Sequence, residues 1–206
     1  MHCVSTRENT LEFGIWSPPP NFVPFLRFAR KPRRGEVWNL GFDYLEFMAN
    51  ITIYTDGSSR GNPGPGGYGT ILMAGTHRKE LSGGYRYTTN NRMELMAVIK
   101  ALEALKKPGM HLTVYSDSQY VVRAVNEGWL KNWIRMDFKG KKNKDLWLLY
   151  YKLAQPHDVR FVWVKGHATN PLNNRCDELA TEAADGSKLQ VDHGFEELEG
   201  KGGLFK

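Results

Sequence analysis

The sequence predicts an α/β domain: a mixed five-stranded sheet, its first three strands antiparallel, flanked by helices. Three observations lead there. Stretches rich in β-branched and aromatic residues come first, at 51–56, 67–75 and 78–87, separated by turn residues. Segments with helical spacing then alternate with two further strand-like runs. Strands followed by interleaved helices and strands favour a sheet that helices cover.

The first strand, Ile51 to Asp56, runs into a loop of glycine, proline, serine and asparagine before apolar residues resume at Tyr68, Ile71 and Leu72. An antiparallel pair at 67–75 and 78–87 follows. A helix starts at Asn90 or Asn91, with Leu95, Val98, Ile99, Leu102 and Leu105 on its apolar face. It ends at Lys106-Lys107-Pro108-Gly109, where cations suit the last turn and proline stops it. Strand four is 112–115. Helices follow over 118–126, 129–134 and 143–153, the last presenting Leu146, Leu149, Tyr150 and Leu153. Strand five is 159–164, and a final helix opens with Asn170 as cap and Pro171 at its first position.

The chain has 206 residues, 41% hydrophobic and 24% charged, enough for one ordinary domain with a buried core. Cys3 and Cys176 are far apart and suggest no disulfide framework, which fits a cytoplasmic location. No apolar run approaches the roughly 18 residues of a membrane span, and no export signal opens the chain. A net charge of +6 points to a polyanionic partner.

Residues 1–47 hold Pro18-Pro19-Pro20 and the cations Arg27, Arg30, Lys31, Arg33 and Arg34 without periodicity. They are expected to be a poorly ordered extension. Met48 precedes the first strand, so the functional chain is expected to begin near it, the alternative being a basic arm that contacts phosphates. The domain is expected over 48–187. Residues 188–206, with Asp192, Glu196, Glu197 and Glu199, read as a flexible acidic tail.

Four acids fall at telling places. Asp56 ends strand one, Glu94 opens the long helix, Asp117 follows strand four and Asp177 lies two turns into the last helix. If strands one and four are neighbours, their carboxyl ends bring Asp56 and Asp117 together, and a helix start can deliver Glu94 beside them. Carboxylate oxygens suit magnesium or manganese rather than zinc. Two such ions about 3.5–4 Å apart can activate water and stabilise a leaving phosphodiester oxygen. Each acid also has an ordinary use: a turn cap for Asp56, a capping box with Asn91 for Glu94, a helix cap for Asp117, and a solvated helix face for Asp177 beside Glu178. The glycines beside Asp56 would let a bulky substrate approach the backbone.

Four stretches together closely resemble bacterial type 1 ribonuclease H, over about residues 50–186. They are Thr55-Asp56-Gly57-Ser58 with Gly61 to Gly67, Thr88 to Leu95, Ser116 to Val121, and Trp163 to His167 with Asn174 to Ala180. The resemblance implies an endonuclease that cuts the RNA strand of an RNA/DNA hybrid with two Mg2+ ions, for which Mn2+ can substitute. It further implies 5′-phosphate and 3′-hydroxyl ends, little sequence preference, a role in removing RNA primers and R-loops, and action as a monomer. Asp56, Glu94, Asp117 and Asp177 match the family's metal-binding carboxylates, Asp56 bridging the ions.

By the same resemblance His167, in a small-residue loop, assists proton transfer or product departure, and a neutral-pH titration suits either role. Asn90, Asn91 and Gln119 are implied to read the RNA strand, where a 2′-hydroxyl marks it. Asn62 and Thr89 are implied to hold a DNA-strand phosphate. The stretch 129–144 carries six cations against one anion, a net +5, with Trp129, Trp133 and Phe138 interleaved. It resembles the family's basic protrusion, in which Trp129, Trp133, Lys139, Lys141 and Lys142 would grip the DNA strand. A non-catalytic hybrid-binding module would need no four acids, and a related nuclease would lack the amide readers and the protrusion.

Overall fold

A computed structural model describes residues 50–166 and 170–197. The expectations for residues 1–47 and for His167 fall outside the described residues. The elements are β1 (Asn50–Ser59), β2 (Gly64–Ala74), β3 (His77–Thr88), α1 (Asn90–Glu103), β4 (His111–Ser116), α2 (Gln119–Asn126), α3 (Trp129–Arg135), α4 (Lys144–Ala154), β5 (Asp158–Trp163) and α5 (Pro171–Ala184). The sheet order is β3-β2-β1-β4-β5. β1, β2 and β3 pair antiparallel, while β4 and β5 extend β1 in parallel. No helix among the described residues is long and apolar enough to cross a membrane.

Strand alternation sends β1 side chains to two cores. Ile53 joins the larger core, with Leu95, Val98 and Ile99 of α1, Val121 of α2 and Trp147 of α4. Its neighbour Tyr54 faces the smaller one, with Ile71, Cys176 and Leu179, under α5. α1 is buried almost all round, from Arg92 to Ile99. The apolar face expected for it is therefore only part of what it buries, because the sheet covers one side and α4 the other.

Two expectations are revised. β1 does not end at Asp56 but runs to Ser59 on its β2 side, while its β4 partner stops at Ser116, opposite Thr55. Asp56 thus stands where β1 loses a neighbour. Two glycines near it make room for helices: a Cβ on Gly57 would lie 2.1 Å from the Glu94 amide nitrogen, and one on Gly69 2.1 Å from the Cys176 carbonyl. On α4, Trp147 is fully buried in the place expected of Leu149, which is 36% exposed.

The stretch 188–206 is not a flexible tail as far as residue 197. Gln190 bridges to Tyr85 on the β3 edge, Asp192 is buried, and 193–197 form a helical turn. Its acids find buried or exposed arginines, Asp192 with Arg92 and Glu196 with Arg86, which is why they do not solvate a free tail.

Candidate active site

Parallel pairing of β1 and β4 sets Thr55 beside Ser116, so Asp56 and Asp117 follow one another into the same space. Contact of Gly57 with the Met93–Glu94 backbone brings the second turn of α1, not its first, to that place. Carboxylate oxygens of Asp56, Glu94 and Asp117 all lie within 4.8 Å of one another. Asp177 does not belong to this set. It follows Cys176 on α5, whose carbonyl rests on Gly69, the register partner of Asp56, and its charge acts on the Asp56 carboxyl.

Glu94 and Asp117 do not serve the ordinary capping uses expected of them. Thr89 is the cap of α1 and makes no side-chain cap bond, and Glu94 accepts from Asn90 Nδ2 at 3.3 Å instead of forming a capping box. Ser118, not Asp117, caps α2 by accepting from the Val121 amide. Asp56 accepts only from the adjacent Gly57 amide, at 2.7 Å, among the described residues.

Burial, then the charges of Asp117 and Asp177, push the Asp56 carboxyl from 3.8 up to about 8, against a lowering bond from the Gly57 amide. Burial, then Asp56 and Asp117, drive Glu94 well above the usual carboxylate range. Like charges crowded out of water disfavour ionisation unless a cation joins them. Glu94 Oε2 and Asp117 Oδ1 are buried with no hydrogen-bond partner among the described residues. Unpartnered hard oxygens in one cluster fit a divalent cation.

Two residues of the site escaped the sequence reading. Asn173, 1% exposed, donates from Nδ2 to Asp117 Oδ2 at 3.3 Å. Its position four residues before Asp177, on the same helix face, was the available signal. Gly166 lies against Asp117, and a Cβ there would meet Oδ2 at 2.5 Å.

Beside the acids runs a groove of about 390 Å3, lined in part by Asn62, Thr89, Asn91, Trp129, Trp133, Lys141 and Lys142. Seven residues expected to touch substrate therefore meet in one place. Lys139 and Gln119 are exposed but do not line it. Asn90 links groove to acids: its amide donates to Asn62 Oδ1 at 3.2 Å, and its side chain to Glu94. Lys141 Nζ lies 5.6 Å from the Trp133 ring centre and Arg123 Cζ 4.8 Å from that of Trp129. Lys144 pairs with Asp137, which takes one cation of the insertion out of play. The groove also includes Tyr120, Asn143 and Phe195, which were not expected there because their places depend on distant partners.

The RNase H family model matches residues 48–185. A ribonuclease H of Lachnoclostridium phytofermentans is 58% identical over 154 residues, covering 69% of this chain and 97% of that protein. Among solved structures, LC9-RNase H1, described as a type 1 RNase H with the type 2 active-site motif, aligns with a TM-score of 0.63 at 30% identity. The alignment covers 73% of this chain and 81% of that one. LC11-RNase H1 in complex with RNA/DNA hybrid aligns with a TM-score of 0.51 at 30% identity, over 66% of this chain and 96% of that one. A match across most of the chain, on the strands and helices that gather the acids, settles the kinship: this chain belongs to the ribonuclease H family.

Proposed function

We infer that the chain is an endoribonuclease that hydrolyses the RNA strand of RNA/DNA hybrids, leaving 5′-phosphate and 3′-hydroxyl ends. The observation that carries this reading is the convergence of Asp56, Glu94 and Asp117 within 4.8 Å beside a basic, aromatic groove. Family membership supports it, as does the likeness to a ribonuclease H solved with an RNA/DNA hybrid.

Asp56, Glu94 and Asp117, with Asp177 on the α5 side, are the residues that would hold two Mg2+ ions, Mn2+ being the natural substitute. Bound there, such ions supply the charge that activates water and stabilises the leaving oxygen of a phosphodiester. The protein's own contribution is placement. Asn173 orients the Asp117 carboxylate and Asn90 that of Glu94. Asn90, Asn91 and Gln119 read ribose hydroxyls on the strand to be cut. Asn62, Thr89, Trp129, Trp133, Lys139, Lys141 and Lys142 receive the deoxyribose strand, the cations neutralising phosphates. His167 moves a proton or speeds product departure. The enzyme works as a monomer in the cytoplasm.

The test is incubation with Mg2+ and end-labelled RNA/DNA, RNA/RNA and DNA/DNA duplexes. Cleavage confined to the RNA of the hybrid, lost on chelation, is expected. Equal cutting of RNA/RNA, or persistence in chelator, defeats the reading.

A further inference from the structure

Residues 188–197 lie past the stretch that the family model matches, yet three anchors hold them to the domain. Gln190 exchanges backbone hydrogen bonds with β3, donating to the Gly84 carbonyl at 2.8 Å and accepting from the Arg86 amide at 2.9 Å. Asp192, 3% exposed, accepts from Thr88 Oγ1 and from Arg92 Nε and Nη2, each at 2.7 Å. Glu196 pairs with Arg86 at 2.7 Å. Arg92, 1% exposed, gives its other edge to Asp145 at 2.9 and 2.7 Å. One buried guanidinium therefore clamps this segment to the start of α4, directly after the basic insertion.

Phe195 is the side chain these anchors present. Its ring centre lies 5.5 Å from that of Tyr87 and 5.7 Å from Arg92 Cζ, which leaves the ring half-buried and part of the groove wall. Its companions there include Thr89, Asn91, Asn143 and Trp133. Asn143, at a left-handed φ of 61°, is itself steadied by Arg92 and by the Tyr120 hydroxyl.

We propose that Phe195 is a specificity-determining contact to the DNA strand of the hybrid, its flat apolar face packing on deoxyribose, and that residues 188–197 are the clasp that holds it in the groove. The proposal rests on the hybrid-cleaving reading above. An apolar ring accepts deoxyribose but strips water from a ribose 2′-hydroxyl without replacing its hydrogen bond, so the groove would reject RNA on this strand.

The test compares Phe195→Ala, Phe195→Leu and Phe195→Tyr. Cleavage gives KM and kcat, and fluorescence anisotropy on a labelled hybrid gives Kd in an Asp56→Asn background that does not cut. Phe195→Ala should raise KM and Kd about tenfold, within the usual value of an aromatic contact to nucleic acid. Melting temperature and kcat should stay close to wild type, and the preference for hybrid over RNA/RNA in binding should narrow. Phe195→Tyr should restore KM; Phe195→Leu, which keeps bulk against Tyr87 without a flat face, should not. Values within twofold of wild type for Phe195→Ala, or full recovery in Phe195→Leu, overturn the proposal. Failure of the wild-type chain to cut hybrid would sink the functional reading instead, and the Kd comparison would still decide the role of Phe195.

Discussion

Replacing Asp56 with asparagine should stabilise the metal-free fold. The folded chain holds the Asp56 proton up to about pH 8, whereas the ordinary value is 3.8. The native state therefore binds more protons than the unfolded one between those limits, and stability falls as pH rises through that window. From 3.8 to neutrality is about three pH units, at about 1.4 kcal/mol each, so this carboxyl costs the metal-free fold up to about 4 kcal/mol at pH 7. An asparagine keeps the shape and the buried dipole but cannot ionise. A gain of about 2 kcal/mol is expected, or about 4–8 °C for a domain of this size. The assay is thermal unfolding in chelator and in saturating Mg2+, at pH 5 and pH 8. The gain should be large at pH 8 in chelator, small at pH 5, and reversed in Mg2+, where the wild type recovers about 2.7 kcal/mol at a hundredfold excess over Kd. Equal melting of the two proteins at pH 8 in chelator would refute the picture of three carboxylates crowded without a counter-ion.

Three further outcomes follow from the geometry. Lys141→Ala and Lys142→Ala should each flatten the salt dependence of hybrid binding by about 0.9 log units per log salt. Lys139→Ala should do less, since Lys139 does not line the groove; equal slopes for all three would mean that groove position is irrelevant. Trp147 is fully buried and donates to the Tyr120 hydroxyl at 2.6 Å, so Trp147→Ala should lower the urea midpoint by the equivalent of about 3–5 kcal/mol. A loss under about 1 kcal/mol would contradict its place in the core. His167→Ala should slow turnover and flatten its pH profile without weakening Mg2+ binding by calorimetry; an unchanged profile across pH would remove His167 from the chemistry.

Much of the architecture was legible because its causes are local. Asn170 and Pro171 mark the start of α5, and the asparagine side chain does accept from the Leu172 and Asn173 amides. Glycine and proline punctuation separated the strands. Other features depended on partners far along the chain. The acids near the C-terminus suggested a solvated tail because nothing nearby neutralises them; Arg92, a hundred residues earlier, does. Trp147 fell outside the apolar face expected of α4, because the pocket that buries it is built from Tyr120, Trp133 and Tyr150. The extent of β1 past Asp56 was hidden because it depends on pairing with Gly66 to Tyr68.

By itself, the order of residues determined which segments are strands and helices, which family's motifs they carry, and which four acids match that family's metal-binding carboxylates. Short-range periodicity and cap chemistry encode the first, and residue type the rest. Only the tertiary structure decided that three of those acids crowd together while Asp177 stands off on α5, that Ser118 rather than Asp117 takes the capping duty, and that Phe195 reaches the groove. These depend on where β4 ends beside β1 and on how closely glycines let helices approach the sheet. Such distances arise from packing between elements and have no signature within any one of them.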